Sequence, residues 1–251
     1  MYIAYIDLDD TLLNKEKRIS DYTNDVLIRF QDLGNILVLA TARSKQLNNL
    51  QDNVKNITPY FIFHNGGEIV CNGVTVYQNF FNAQQTERIG SYLTEHDVKA
   101  AVILDENYYA NYDAPSVWGE IKNFHHTDFS GIDFCAPKFS ILLDSETQVG
   151  VLNTLKDYTQ TTYIDNYSGA IVAPKGVSKG VAVSFLQRSF FNKGKSIFIG
   201  NDFNDISGFD SCDIKIAVAN AEKTLLNMAD RIIGSNQDDG VAYYLASLLN
   251  N

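Results

Sequence analysis

The sequence has few residues of several kinds, and these shortages exclude whole classes of protein. Its 251 residues include three cysteines, four prolines, four histidines and one tryptophan. Because Cys71, Cys135 and Cys212 are odd in number and widely separated, they indicate free thiols in a reducing compartment rather than a disulfide framework. The histidines show no metal-binding spacing, and no Gly-x-Ser-x-Gly or paired Cys/His nucleophile signature occurs.

Positive charge is also scarce. Twenty Lys and Arg against thirty Asp and Glu give a net charge of −10, which argues against a nucleic-acid or membrane-surface binder. No apolar run approaches the roughly 20 residues of a membrane span, and Asp7 interrupts the first apolar run too early for a signal peptide. We therefore expect a cytoplasmic globular protein, either a monomer or a weak homodimer, with one large or two modest domains.

Three carboxylates follow the first apolar segment within four residues. Residues 2–6 are apolar and predict a buried strand, and Asp7, Asp9 and Asp10 come directly after it. In an extended backbone Asp7 and Asp9 would share one face and Asp10 would point away. Crowded carboxylates repel each other unless a cation neutralises them. The stretch therefore indicates either a polar turn after an edge strand or a metal-assisted nucleophile site.

Predicted strands and helices alternate at both ends of the chain. This βαβ rhythm is typical of a doubly wound, Rossmann-like parallel α/β sheet, in which ligands gather at the carboxyl ends of the strands. The main predicted strands are residues 2–6, 35–40, 60–63, 196–199 and 214–218.

The texture changes between residues 81 and 172, which predict an inserted α+β domain. This segment contains an irregular aromatic region around Tyr108 and Trp118, which could line a substrate cleft or pack within the domain. It also contains a predicted helix that begins with a capping-box pattern, Ser145 followed by Gln148. The βαβ rhythm resumes only after this segment.

Four polar segments stand at predicted strand or helix ends, and together they resemble a known family. Their order and residue types resemble the four motifs of the haloacid dehalogenase-like (HAD) superfamily of phosphohydrolases. The insert between the second and third motifs is similar to the C2-type cap of the Cof-type branch, subclass IIB. The resemblance implies a catalytic core at residues 1–80 and 173–251 and a cap at 81–172. The four segments are Asp7-Leu8-Asp9-Asp10-Thr11, Thr41-Ala42-Arg43, Lys179 and Gly200-Asn201-Asp202-Phe203-Asn204-Asp205.

Shorter motifs extend the resemblance along most of the chain. They are His64-Asn65-Gly66-Gly67, Pro174-Lys175-Gly176-Val177-Ser178-Lys179-Gly180, Ala219-Asn220-Ala221 and Asp238-Asp239-Gly240-Val241-Ala242.

The resemblance implies a magnesium-dependent phosphatase of small phosphorylated metabolites, most readily sugar phosphates. Asp7, ionised at neutral pH, would attack phosphorus and form an aspartyl-phosphate. Asp9 would protonate the leaving alcohol and then deprotonate the hydrolytic water, and its backbone carbonyl would bind the metal. Magnesium suits this role because it takes carboxylate and carbonyl oxygens and bridges to phosphate.

The same resemblance assigns the remaining site residues. The Leu8 amide, Thr41, the Ala42 amide and Asn204 would contact the phosphoryl group, and Lys179 would neutralise charge on it in the transition state. Supporting roles fall to Arg43, Asn65 and Asp205. Read singly, Lys179 could instead be a solvated surface lysine, and Thr41 could be an ordinary helix N-cap.

Two positions depart from the family pattern. Asn201 stands where the family usually has Asp, so the predicted metal site loses a formal charge, and the adjacent Asp202 could compensate. Asp7, Asp9, Asn201 and Asp202 are therefore the predicted metal ligands, with the choice between the last two left open. Asp10 replaces the Gly common in the first motif, and we expect a loop or capping role for it.

Three other functions compete with the phosphatase. A phosphomutase or phosphotransferase would need a second phosphate-binding patch in the cap, where Arg88 is the only arginine. A signalling receiver domain is about half this length, with its acceptor Asp at the end of the third strand, where this chain has His64 and Asn65. A non-catalytic phosphometabolite-binding protein is favoured only by Asn201.

Overall fold

A computed structural model of the chain describes residues 1–45, 47, 50–164 and 168–249. Its strands are Tyr2–Asp7 (β1), Ile36–Ala40 (β2), Tyr60–Phe63 (β3), Glu68–Cys71 (β4), Val74–Gln78 (β5), Lys99–Leu104 (β6), Asn107–Ala110 (β7), Phe124–His126 (β8), Phe139–Leu142 (β9), Thr159–Ile164 (β10), Gly169–Pro174 (β11), Lys195–Gly200 (β12), Ile214–Val218 (β13) and Arg231–Ile233 (β14). Its helices are Asp21–Asp32 (α1), Asp52–Lys55 (α2), Ala83–Glu95 (α3), Ala114–Trp118 (α4), Glu146–Thr154 (α5), Lys179–Ser189 (α6), Ile206–Asp210 (α7), Lys223–Met228 (α8) and Gly240–Leu249 (α9).

The two ends of the chain build one sheet. Within the described residues its strand order is β14-β13-β12-β1-β2-β3-β4-β5. The pairs from β14 to β3 are parallel, and β4 turns back antiparallel to β3. The first strand of the chain therefore lies in the middle of the sheet, next to strands from both ends of the sequence.

Both faces of this sheet are covered, because alternate strand residues point to opposite sides. On one face Ala4 and Ile6 of β1 pack with residues of α1 and α9, including Phe30 and Leu245. On the other face Ile3 and Tyr5 pack with residues of α6, α7 and α8. Helices on both faces of a parallel sheet make a doubly wound α/β fold, which confirms the predicted fold class of the core.

The middle of the chain builds a second sheet with the order β10-β11-β9-β6-β7-β8. Its pairs are antiparallel except for β7 with β8. Helices α3 and α5 contribute Ile89, Leu93 and Leu152 to its hydrophobic core. The aromatic region predicted to be irregular instead contains β7, α4 and β8, and Tyr112 is buried there in a small cluster of alanines.

The chain divides into two compact units. One comprises Met1–Arg43, Leu47–Tyr77 and Ser178–Asn251, and the other comprises Ser44–Gln46 and Gln78–Val177. The assignment of residues 1–80 and 173–251 to a catalytic core and of 81–172 to a cap stays a prediction. Across the described residues, the helices are all too short or too polar to span a membrane.

Candidate active site

Adjacent strands of the first sheet end at the same edge and carry the predicted site residues. The strand register pairs Asp7 at the end of β1 with Ala40 at the end of β2, and Ile6 with Ile199 of β12. The polar segments that follow Asp7, Ala40 and Gly200 therefore start from neighbouring strand ends. This edge is where ligands bind in open α/β sheets.

Lys179 is completely buried between two carboxylates. Its Nζ lies 2.6 Å from Asp7 Oδ1 and 2.6 Å from Asp205 Oδ1, and all three side chains are almost inaccessible to solvent. Lys179 opens α6, whose N-cap Ser178 accepts a hydrogen bond from the backbone N–H of Val181. A buried ammonium is tolerated only with such partners, so Lys179 is not a solvated surface lysine.

The buried pair has shifted pKa values. Burial alone would lower the pKa of Lys179, but the carboxylates of Asp205 and Asp7 outweigh it and raise this pKa, so the ammonium is retained. Burial raises the pKa of Asp7 to about 7, although Lys179 opposes the shift. Burial therefore makes Asp7 harder to ionise than an ordinary aspartate.

The Asp9 carboxylate has different partners from that of Asp7. Arg43 donates from Nε to Oδ2 at 2.8 Å and from Nη2 to Oδ1 at 2.7 Å, and Lys17 Nζ lies 3.0 Å from Oδ1. Although burial would raise the pKa of Asp9, Arg43 and Lys17 hold it below the usual range. Since β1 ends at Asp7, the strand alternation used to place Asp7 and Asp9 on one face does not extend to Asp9.

The Thr41-Ala42-Arg43 segment forms a turn joined to the end of β3. Thr41 is buried, its Oγ1 accepts from the Arg43 N–H at 3.1 Å, and its carbonyl accepts from the Asn65 N–H at 3.0 Å. Residues 41–45 are not helical, so Thr41 is not a helix N-cap. Asn204 Nδ2 donates to Asn65 Oδ1 at 3.0 Å, so these two predicted residues lie together.

The segment after β3 has an unusual backbone. His64, Asn65 and Gly66 have φ values of 52°, 57° and 103°, in the left-handed region that non-glycine residues rarely adopt. A Cβ on Gly66 would lie 2.1 Å from the carbonyl oxygen of Ser178, so only glycine permits this approach to the start of α6. Such strain is concentrated at functional sites, and here it holds Asn65 close to Asn204.

Magnesium fits the oxygens around Asn201. One terminal atom of the Asn201 amide lies 3.2 Å from Asp7 Oδ2, 3.3 Å from the Asp9 carbonyl oxygen and 2.9 Å from Thr11 Oγ1. With its NH₂ turned this way, the amide donates to these oxygens. With its oxygen turned this way, it accepts from Thr11 and completes a set of carboxylate, carbonyl and amide oxygens, which Mg²⁺ prefers.

Side chains alone do not make this site. In the part of the chain that the structure describes, no group of three or more His, Cys, Asp or Glu could hold a metal. A metal at this edge would depend on the Asp9 carbonyl and on the amide oxygen of Asn201. Metal ligation by Asn201 stays a prediction.

Asp202 has a local structural role. Its carboxylate accepts from the Phe203 N–H at 2.6 Å and caps the short 3₁₀ turn Phe203–Asp205. Metal ligation by Asp202 stays a prediction, as do the phosphate contacts of Leu8, Thr41, Ala42, Lys179 and Asn204.

Sequence reasoning missed two contacts of the first motif. Lys17 Nζ lies 3.0 Å from Asp9 Oδ1, and Thr11 Oγ1 lies 2.9 Å from a terminal atom of the Asn201 amide. Thr11 stood within the quoted motif without an assigned role. Lys17 lies in a polar loop with a left-handed φ of 58°, and no sequence motif indicates its contact with Asp9.

Comparisons with known proteins agree with this geometry. The model of the haloacid dehalogenase-like hydrolase family matches residues 4–245. The 5-amino-6-(5-phospho-D-ribitylamino)uracil phosphatase YwtE of Bacillus subtilis is 23% identical over an alignment of 279 positions, gaps included. The alignment covers 98% of this chain and 97% of that protein. A phosphoglycolate phosphatase of Sulfurisphaera tokodaii is 41% identical, but over only 34% of this chain and 38% of its own length.

A solved structure has the same fold over almost the whole chain. It is the HAD subclass IIB sugar phosphatase BT4131, with a TM-score of 0.82, 17% identity and coverage of 99% of both chains.

Proposed function

Because the chain belongs to the haloacid dehalogenase-like hydrolase family, we propose that it is a magnesium-dependent phosphatase that hydrolyses small phosphorylated metabolites through an aspartyl-phosphate on Asp7. Sugar phosphates are the substrate class that we favour. The relatives named above as phosphatases and the sugar phosphatase with the same fold support this reading.

The observation that carries the proposal is the buried contact of Lys179 with Asp7. An ammonium lies 2.6 Å from a buried carboxylate at the carboxyl edge of a parallel sheet, which supports Asp7 as a nucleophile with a positive charge beside it. The lysine would then neutralise charge that builds on the phosphoryl oxygens. Asp205, on the other side of the ammonium, would keep the lysine aimed at Asp7.

Asp7 acts as the nucleophile, and its carboxylate oxygen attacks phosphorus while the alcohol leaves. Bound Mg²⁺ would reduce the repulsion between the Asp7 carboxylate and the phosphate dianion and would favour the ionised form of Asp7. Asp7, the Asp9 carbonyl and Asn201 are the groups that would hold it, with Asp202 as the open alternative to Asn201.

Asp9 moves protons in both half-reactions. In the arrangement described, Arg43 and Lys17 hold its carboxylate ionised, which is the form that takes a proton from the hydrolytic water. Protonation of the leaving alcohol in the first half-reaction requires Asp9 to separate from these cations. A phosphoryl dianion is a natural competitor for both of them.

The alternative functions receive less support. In the segment that would need a second phosphate site, Arg88 lies over the ring of Tyr158, 5.9 Å from its centroid. A single arginine in this contact is a poor second phosphate site for a phosphomutase or phosphotransferase. A non-catalytic phosphometabolite-binding protein rests on Asn201 alone. Absence of nucleic-acid or membrane partners, a monomeric or weakly dimeric state and a cytoplasmic location remain predictions.

A substrate panel tests the proposed function. Phosphate release is measured from phosphorylated sugars, nucleotides and small phosphorylated acids, with and without Mg²⁺, and binding of the same compounds is followed by calorimetry. We expect Mg²⁺-dependent turnover with sugar phosphates among the best substrates. Binding without turnover would favour the non-catalytic alternative, and phosphoryl transfer to a second sugar in place of water would favour the mutase.

A further inference from the structure

Two asparagines near the end of the chain bind the backbone of the loop that follows Asp9. Asn220 Nδ2 donates to the carbonyl oxygen of Asp10 at 2.7 Å, and Asn220 Oδ1 accepts from the N–H of Asn236 at 3.0 Å. Asn236 Nδ2 in turn donates to the carbonyl oxygen of Leu13 at 2.7 Å, in a buried position. The loop is thus held from outside at both Asp10 and Leu13.

The loop needs such support because Asp10 has a strained backbone. Its φ is 58°, in the left-handed region that residues other than glycine adopt only at a cost. Since the peptide between Asp9 and Asp10 is planar, the Asp9 carbonyl and the Asp10 N–H rotate together. The φ of Asp10 therefore affects the direction of the Asp9 carbonyl relative to the next peptide, whose Asp10 carbonyl accepts from Asn220.

The direction of that carbonyl matters to the site. The Asp9 carbonyl oxygen lies 3.3 Å from the Asn201 amide, within the set of oxygens that fits Mg²⁺. If Asp10 relaxed to a negative φ, the Asp9 carbonyl would turn away from Asn201. Each oxygen of this set belongs to a different residue, so the site would lose one oxygen ligand.

We propose that Asn220 is a positioning residue for the metal site: its hydrogen bond to the Asp10 carbonyl keeps Asp10 left-handed and so keeps the Asp9 carbonyl facing Asn201. This inference rests on the proposed function, since it gives the Asp9 carbonyl the role of metal ligand. It also explains how the chain keeps Asp at a position where the family commonly has Gly.

The competing reading is that Asn220 only stabilises the fold. Glycine at position 10 separates the two readings, because glycine adopts a φ near 58° without strain. If Asn220 acts on Asp10, Asp10→Gly compensates for its loss. If Asn220 is merely structural, the two substitutions act independently.

The test compares Asn220→Ala, Asp10→Gly and the double variant with the wild-type chain. The readouts are the Mg²⁺ dissociation constant from calorimetry, the Mg²⁺ concentration for half-maximal phosphate release, and Tm. We expect Asn220→Ala to weaken Mg²⁺ binding about tenfold, as for the loss of one hydrogen bond, and the double variant to recover to within about threefold of wild type.

Two control variants sharpen the comparison. Asn35 also joins two backbone groups of the same unit, since it accepts from the Tyr2 N–H at 2.8 Å and donates to the Phe30 carbonyl at 3.0 Å. Asn35→Ala should lower Tm and leave Mg²⁺ binding unchanged. Asp10→Ala removes the charge and keeps the Cβ that disfavours a left-handed φ, so it should not restore the Asn220→Ala variant.

Each outcome of this test either supports or overturns the positioning role of Asn220. Unchanged Mg²⁺ binding in Asn220→Ala, or a double variant no better than Asn220→Ala, would overturn the positioning role. A wild-type chain that binds Mg²⁺ but releases no phosphate would defeat the proposed function alone, because calorimetry still reports the effect of Asn220. A wild-type chain that binds no Mg²⁺ would overturn both.

Discussion

At the scale of single residues, Asp205 connects the site to the strand that precedes it. One oxygen binds Lys179, and the other accepts from the backbone N–H groups of Asn201 and Asp202 at 2.9 and 3.1 Å. A Cβ on Gly200 would lie 2.6 Å from the carboxyl group of Asp205, so glycine is required there. The aim of Lys179 at Asp7 therefore depends on the turn at the end of β12.

A second carboxylate gives a prediction about pH. Asp213 Oδ2 accepts from the backbone N–H and the hydroxyl of Ser196, both at 2.8 Å, and these hydrogen bonds lower its pKa. A folded pKa below the unfolded value stabilises the fold above about pH 4, and this contribution is lost as the pH falls through the folded pKa. We expect Asp213→Asn to lower the free energy of unfolding at pH 7, with a difference from wild type that persists down to about pH 4 and shrinks below it.

Urea unfolding of both proteins between pH 7 and about pH 2 checks this. A difference that stays constant over this range would contradict the account of Asp213. Asp210→Asn, at an exposed position nearby, serves as the matched control.

The sequence predicted that the residues following the central strands lie near each other, because a βαβ order brings the ends of parallel strands together. It did not predict the partners of those residues. Lys17, which contacts Asp9, has a left-handed φ. Asp10 also has a left-handed φ and lies in a loop, so strand alternation does not determine the direction of its side chain. Hydrophobic periodicity carries no information about such turns.

At the scale of elements, the C-terminal segment supports the N-cap of the first helix. Asp239 Oδ1 accepts from the hydroxyls of Ser20 and Thr23, both at 2.8 Å, and Ser20 Oγ accepts from the Thr23 N–H at 3.0 Å. The anionic carboxylate also lies at the positive end of the α1 dipole. The Asp238-Asp239-Gly240 motif is thus explained by a contact between distant parts of the first unit.

Removal of this carboxylate should destabilise the fold. We expect Asp239→Ala to lower the free energy of unfolding by about 1–2 kcal/mol, because two buried or half-buried hydroxyls lose their acceptor. Asp238→Ala is the matched control, since Asp238 is exposed and binds only Ser235 among the contacts described, at 2.6 Å. Equal losses of unfolding free energy in the two variants, measured by urea unfolding, would contradict this role of the Asp239 carboxylate.

Helix starts show how far local sequence patterns reach. The capping box predicted at Ser145 does not form, because Gln148 instead accepts from Asp144 N–H at 2.7 Å and donates to the Asp97 carbonyl. A complete capping box occurs at the start of α3, between Asn82 and Gln85. Both capping-box patterns are present in the sequence. The one at Ser145 does not form because Gln148 makes a tertiary hydrogen bond to the Asp97 carbonyl.

At the scale of the whole molecule, the two sheets have separate hydrophobic cores. The second unit draws its core from one continuous stretch, and its buried cluster includes Phe81, Phe129 and Phe139. The first unit assembles from segments on both sides of that stretch in the sequence. An insertion that contains its own core can fold without the rest of the chain.

We therefore expect a fragment of residues 78–177 to fold alone. About 100 residues with a buried aromatic cluster should give a single cooperative transition in urea and dispersed amide resonances. A fragment with helical signal but no cooperative transition would show that its core depends on the first unit.

The most direct test of the central claim is the rate of phosphate release by Asp7→Asn. The substitution keeps the shape of the side chain and removes the nucleophilic carboxylate 2.6 Å from Lys179. With Mg²⁺ and the best substrate of the panel, we expect kcat to fall by at least about a thousandfold, while Asp210→Asn keeps wild-type activity. Mg²⁺-dependent release that persists in Asp7→Asn would contradict the account, because the Asp7 carboxylate could then not be the nucleophile.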